Sequence, residues 1–243
     1  MPAKPDKKKD MSVDDFDMLK IVGKGAFGKV LLVRKKDNAQ LLAMKILRKA
    51  AVIETGQVEH TNAEQAILKQ IKHPFIVGLR FSFQSSDKLY LVTDYYSGGN
   101  LFAHLRESRK FPEARAKFYA AELMLALEHL HSKDIVYRDL KLENILMDSQ
   151  GHIILTDFGL SKFFDEQSSL MKTPCGTPGF VAPEVLGHTG YNCAVSCCTG
   201  VAVPCTGVAV SRKGRHRAGR GGGYRAQQPA PSPSRCRVAL PRG

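Results

Sequence analysis

The sequence predicts an α+β protein with its strands gathered in the first part and its helices in the second. Short β-branched and aromatic runs separated by turn signals fill the chain up to Ser97-Gly98-Gly99. A long run of helical periodicity follows from Pro112 to Ser132. With 43% apolar and 24% charged residues over 243 positions, the chain can bury a sizeable core, which excludes wholesale disorder.

The elements follow in order. Residues 16–33 read as two strands flanking a glycine-rich turn, with Val30-Leu31-Leu32-Val33 as the apolar run of the second. Asp37-Asn38 marks a turn, and Leu41 to Leu47 is a third strand interrupted by one lysine, Lys45. Alternation puts Ala43 and Lys45 on one face of that strand. Thr61 to Gln70 has helical spacing (Ala63, Ile67, Leu68) and ends before His73-Pro74. Phe75–Phe83 and Leu89–Asp94 read as further strands. Pro112–Ser132 begins with a proline in its first turn and carries one apolar stripe of Tyr119, Leu123, Leu127 and Leu130, with a second of Phe118, Ala121 and Leu125. That pattern predicts burial on most sides. Ile135–Asp139, Asn144–Met147 and His152–Thr156 are short strands between polar loops.

Charge and cysteine divide the chain near Tyr191. Residues 192–243 hold nine Lys/Arg and no Asp or Glu, and five of the six cysteines (Cys193, Cys197, Cys198, Cys205, Cys236). A single earlier cysteine, Cys175, reads as a reducing compartment without a disulfide framework, hence cytoplasmic with the nucleus as a further expectation. The Lys-rich start lacks an apolar core and does not read as a secretory signal. The uncharged Cys193–Val210 stretch contains Gly and Pro204 and lacks Leu, Ile and Phe, which argues against a membrane helix. Within it CTGVAVP (198–204) is followed by CTGVAVS (205–211), a tandem duplication too short and too Gly/Pro-rich for a coiled coil. The late cysteines lack paired zinc-ligand spacing.

The chemistry-bearing residues lie before that boundary. Gly23-Lys24-Gly25-Ala26-Phe27-Gly28-Lys29-Val30 is a GxGxxGxV loop whose missing side chains let backbone N–H groups cover phosphates. It lies between strands and does not open a helix, which argues against a dinucleotide-binding fingerprint. Lys45 follows at a distance suited to reach those phosphates. Tyr137-Arg138-Asp139-Leu140-Lys141-Leu142-Glu143-Asn144, Asp157-Phe158-Gly159 and Ala182-Pro183-Glu184 complete the series.

Five motifs in this order resemble a protein kinase. The Tyr137-Arg138-Asp139 run, His60-Thr61 and Thr173-Pro174-Cys175-Gly176-Thr177-Pro178 resemble the AGC group of Ser/Thr kinases, near the cyclic-nucleotide-dependent, Akt and S6 kinases. Gly179-Phe180 departs from the Glu-Tyr of that group. The resemblance implies a two-lobed kinase-like fold with a β-rich N-lobe carrying one main helix. Residues 1–15 would be a basic flexible N-terminus, 16–95 the N-lobe, 96–195 a partial helical C-lobe and 196–243 a low-complexity basic tail.

It also implies ATP and Mg²⁺ as cofactors. Adenine would sit between Val30 and Ala43 above and Leu146 below, held by the backbone of Asp94–Tyr96, with Gly23, Lys24, Gly25 and Gly28 over the phosphates. Lys45, paired with Glu64, would bind phosphate; Asn144 and Asp157 would hold the metal; Asp139 and Lys141 would serve the transfer itself. Thr173 would be the activation-loop phosphosite of an upstream activating kinase, with Arg138, Lys162 and His60 as its cationic partners. Leu68, Leu79, Tyr137 and Phe158 would form an internal apolar stack. Protein substrates would offer Ser/Thr, Arg-flanked where Glu143 is used, although Asn100 replaces a glutamate of the group.

The resemblance stops after Val195, where Ser196-Cys197-Cys198 replaces the start of a long apolar helix. The chain is therefore expected to be truncated within the catalytic domain and catalytically poor. Its Pro112–Ser132 helix should keep one apolar stripe in water. The alternative is an inactive nucleotide-binding half-kinase whose Arg/Gly-rich tail binds nucleic acid or another polyanion, with no membrane partner.

Overall fold

The short-period runs of the first part pair into one antiparallel sheet. In the computed structural model, which describes residues 11–25, 27–164, 170, 171, 173, 175–177, 179–181, 185 and 191, the strands are β1 (Phe16–Gly25), β2 (Gly28–Lys35), β3 (Leu41–Arg48), β4 (Leu79–Gln84) and β5 (Lys88–Asp94). Their order in the sheet is β1-β2-β3-β5-β4. Val30 faces Lys45 and Leu32 faces Ala43 across β2 and β3, while Lys45 and Ala43 face Leu91 and Thr93 of β5. Residues directly opposite in an antiparallel pair share a face, so Val30, Ala43 and Lys45 look the same way. The alternate residues Leu31, Val33, Leu42, Met44 and Val92 bury against Phe16 on the other face. That burial of β-branched and long apolar side chains fixes the register, since a slip of one residue would expose all of them.

Two helices follow β3: α1 (Lys49–Glu54) and α2 (Val58–Gln70). Ile67 and Leu68 of α2 turn into the main core with Leu91. In the second part lie α3 (Leu101–Ser108) and α4 (Glu113–His131). The small sheets there are β6 (Ile135–Val136) with β9 (Lys162–Phe163), and β7 (Ile145–Met147) with β8 (Ile153–Leu155). Tyr119, Leu123, Ala126, Leu127 and Leu130 of α4 bury against Ile135, Ile145, Ile153 and Leu155. The carboxylate of Glu122, buried in this helix, accepts the Ile153 amide at 2.9 Å and the ring of His152 at its other oxygen, which ties α4 to the start of β8.

The joint between the two parts is built from backbone. Val77 N–H donates to the Leu155 carbonyl at 3.0 Å, and Leu155 N–H to the Phe75 carbonyl at 2.9 Å. The His73 and His129 rings stack there at 5.0 Å.

Several expectations need correction. The fourth strand begins at Leu79 and not Phe75, because Phe75, Ile76 and Val77 are spent on the joint to β8. The strand expected over Ile135–Asp139 ends at Val136, because Arg138 takes φ 66°, outside the extended region. The helices α1 and α3 were not anticipated: each is too short for its periodicity to stand out. The second stripe of α4 is not buried; Phe118 and Leu125 remain 46% and 50% exposed, as the expectation of an uncovered stripe required.

Candidate active site

Lys45 is the pivot. β3 presents it on the inner face, and α2 brings up Glu64, itself 4% exposed. The Lys45 ammonium donates to Glu64 Oε1 at 2.7 Å, to Oε2 at 3.0 Å and to Asp157 Oδ1 at 3.2 Å. Burial alone would lower the Lys45 pKa, but the two carboxylates outweigh it and hold the ammonium above its usual value. Burial raises the Glu64 carboxyl, and Lys45 opposes that rise. Asp157 is lowered, chiefly by the Lys45 charge, so it stays ionised. Its φ of 57° is uncommon for a non-glycine residue.

The segment after β6 holds a second group. Tyr137 is fully buried, packs edge-to-face on Phe158 at 5.3 Å, and donates its hydroxyl to the Thr156 carbonyl. Leu68 belongs to the same main core as these rings and Leu79 packs against it; of the four members of the expected stack, Tyr137 and Phe158 are in ring contact. Asp139 Oδ2 accepts Lys141 Nζ at 2.8 Å and Asn144 Nδ2 at 3.0 Å. Asp139 Oδ1 accepts the Thr177 amide at 3.1 Å and its hydroxyl at 2.6 Å, while Lys141 also reaches Thr177 Oγ1 at 2.8 Å. Charge-assisted bonds of this kind fix Asp139 in one orientation.

Val30, Ala43 and Leu146, the three residues expected against adenine, are each partly exposed. Gly23, Lys24 and Gly25 end β1, with Gly25 paired to Gly28 at the turn. At Gly28 an added Cβ would stand 1.8 Å from the Ile46 carbonyl oxygen, so only glycine lets β2 lie this close to β3. The Asp94 carboxylate accepts Arg80 at 2.7 Å and its amide donates to Gly78 at 3.3 Å. Tyr96 is held up to about 12, by burial first and then by Asp94. Gly98 packs on the end of β7, donating to the Met147 carbonyl at 3.1 Å; a Cβ there would meet that oxygen at 2.6 Å. Asn100 caps α3, its side chain accepting the Ala103 amide at 2.9 Å.

Of the three cations expected around Thr173, Arg138 alone is linked to it by hydrogen bonds among the described residues. Arg138 Nη1 donates to the Tyr191 hydroxyl at 3.4 Å, and that hydroxyl donates to the Thr173 carbonyl at 2.6 Å. Lys162 is exposed on β9, and the His60 ring is engaged at 2.6 Å by Gln57, the residue before α2. Neither Thr177 nor Tyr191 has a role that the sequence motifs assign. Their partners lie 38 and 53 residues away, and no local spacing announces such contacts. The Ala182-Pro183-Glu184 motif and the tail from residue 192 lie outside the described residues, as do residues 1–10. Among the described residues, no helix is long and apolar enough to cross a membrane.

Comparison with known proteins gives a consistent result. The protein kinase domain family matches residues 16–199. Protein kinase 2 of Dictyostelium discoideum is 54% identical over 188 residues, covering 77% of this chain and 39% of that protein. Serine/threonine-protein kinase YPK1 of Saccharomyces cerevisiae is 52% identical over 192 residues, covering 79% and 28%. Serine/threonine-protein kinase Sgk1 of Homo sapiens is 56% identical over 179 residues, covering 73% and 42%. The chain thus spans less than half the length of each of these relatives.

Proposed function

Because the chain belongs to the protein kinase family, we propose that it transfers the γ-phosphoryl group of MgATP to serine or threonine hydroxyls, at the low rate expected of it from the sequence. One observation carries the proposal: Lys45 is bonded to both Glu64 and Asp157, while Asp139, Lys141, Asn144 and Thr177 are interlocked with one another. Phosphoryl transfer needs little covalent help from the protein and much positioning, and these are positioned charges.

Lys45 would hold the α/β-phosphates, with the glycine loop laid over them and the adenine against Val30, Ala43 and Leu146. Asp157 and Asn144 suit magnesium, a hard cation that commonly takes one or two protein oxygens and completes its shell from phosphates and water. No group of three or more His, Cys, Asp or Glu that could form a closed metal cage gathers among the described residues. Magnesium bound there would neutralise charge on the phosphates. Asp139 would accept the proton of the attacking hydroxyl, and Lys141 would stabilise the transferring group.

We assign Thr173 as a phosphosite for an upstream activating kinase. Arg138 Nη2 supports this: it is buried without a hydrogen-bond partner among the described residues, a costly state that a phosphate oxygen would relieve. The exposed Glu143 carboxylate supports a preference for Arg-flanked substrates. Cytoplasmic placement rests on cysteine usage alone. The Ser/Thr kinases among the relatives favour this function over a purely nucleotide-binding role with a polyanion-binding tail.

The test is transfer of label from γ-labelled MgATP to Ser/Thr peptides with and without flanking arginines. Asp139→Asn should lower the rate by about 10²-fold or more. Equal transfer by wild type and variant would overturn the assignment.

A further inference from the structure

The Tyr191 hydroxyl occupies a place that the mechanism above does not use. Tyr191 is 4% exposed, its ring buried with Val136, Met171 and Val185. Backbone bonds of 2.8 and 2.9 Å join Met171 and Tyr191 in both directions, so the position of the ring is set independently of its hydroxyl. The hydroxyl donates to the Thr173 carbonyl at 2.6 Å, accepts from Arg138 Nη1 at 3.4 Å, and lies 3.7 Å from Cys175 Sγ. Burial raises the phenol above its ordinary pKa, so it remains a neutral donor.

Arg138 is itself a junction. Its Nε donates to the Leu160 carbonyl at 2.6 Å, its backbone stands at φ 66°, and the next residue is Asp139. Nη1 has Tyr191 as its partner, and Nη2 has none among the described residues. A guanidinium is a rigid planar fork, so fixing Nε and Nη1 fixes the direction in which Nη2 points.

We propose that Tyr191 is a positioning residue. Its hydroxyl clamps the Thr173–Thr177 segment to Arg138 and aims Nη2, and through the adjoining backbone it holds Asp139 under Thr177. The proposal rests on the kinase reading for its consequence in catalysis, but the clamp itself is a structural claim. It makes Tyr191 the link between the segment bearing Thr173 and the proton-accepting carboxylate.

The experiment uses the full chain and Tyr191→Phe, which keeps the buried ring and removes only the hydroxyl. One short hydrogen bond, to the Thr173 carbonyl at 2.6 Å, and one long one, from Arg138 at 3.4 Å, are lost, so amide exchange at Thr173, Thr177 and Asp139 should rise by about tenfold. The melting temperature should fall by only about 2–6 °C and ATP affinity should hold, because the ring packing stays in place and Lys45 is not touched. Where transfer is measurable, kcat should fall while KM for ATP stays. In an Arg138→Lys background, which lacks the fork, Tyr191→Phe should add little to the exchange at Asp139. Unchanged exchange in Tyr191→Phe would overturn the proposal. So would additive effects of the two substitutions, which would leave Tyr191 as packing alone. If Asp139→Asn retains full transfer, the kinase reading fails while the exchange data still judge the clamp.

Discussion

Replacing Lys45 with Met would leave Glu64 in the core without its counter-charge. Removing one partner of a buried ion pair costs about 3–5 kcal/mol. Glu64 qualifies, with a side chain 5% exposed, but the Lys45 side chain is 28% exposed and keeps part of its hydration. Asp157, half exposed, adds little, so the expected loss is about 2–3 kcal/mol. For a domain of this size that is a drop of about 4–12 °C in melting temperature. Glu64 is already raised above its unfolded value by burial, and losing Lys45 raises it further. A carboxyl with a raised folded pKa is tolerated below its unfolded value and destabilises increasingly as pH climbs through the folded one. The deficit of Lys45→Met should therefore be large at about pH 8 and shrink toward about pH 5. Adding Glu64→Gln should restore most of it. Melting curves followed by circular dichroism over that range decide the matter. A deficit independent of pH, or one that Glu64→Gln leaves in place, would refute the reasoning.

The stacked His73–His129 joint should weaken in acid. Both rings are lowered from 6.5, His73 by burial and then by His129, and His129 by burial and then by Lys133. Stability from these groups is complete above 6.5 and declines as pH falls through their folded values. His152, raised by its hydrogen bond to Glu122, works the other way, its contribution full below 6.5 and lost as pH rises through its folded value. Melts of His129→Phe should show a shallower acid decline than wild type, and parallel curves would count against the joint. Asn100→Ala, by removing the cap on α3, should cost about 1 kcal/mol in urea unfolding. No change would mean the cap is idle.

Much of this architecture was legible because its signals are local. The strand carrying Lys45 shows as an apolar run with a lone charge, and Pro112–Ser132 shows a stripe that the structure buries as Tyr119, Leu123, Leu127 and Leu130. The ionic partners Lys45 and Glu64, nineteen residues apart, were legible only through the family resemblance. Contacts made by segments far apart in sequence stayed hidden. Thr177 reaching Asp139 and Tyr191 reaching Arg138 depend on how loops return over the core, which no periodicity encodes. The short α1 and α3 offer too few turns for a period to emerge. Phe75, Ile76 and Val77 misled because these residues favour strands, yet their backbone is claimed by β8.

The central claim is that Lys45, Asn144 and Asp157 form one MgATP site, and calorimetric titration of the full chain with ATP tests it most directly. Binding should be present with magnesium, weaken when the metal is chelated, and lose that metal dependence in Asp157→Ala, whose folded state should be checked by circular dichroism. ATP binding that is equally tight with and without magnesium, or a folded Asp157→Ala that keeps the full metal effect, would contradict the account.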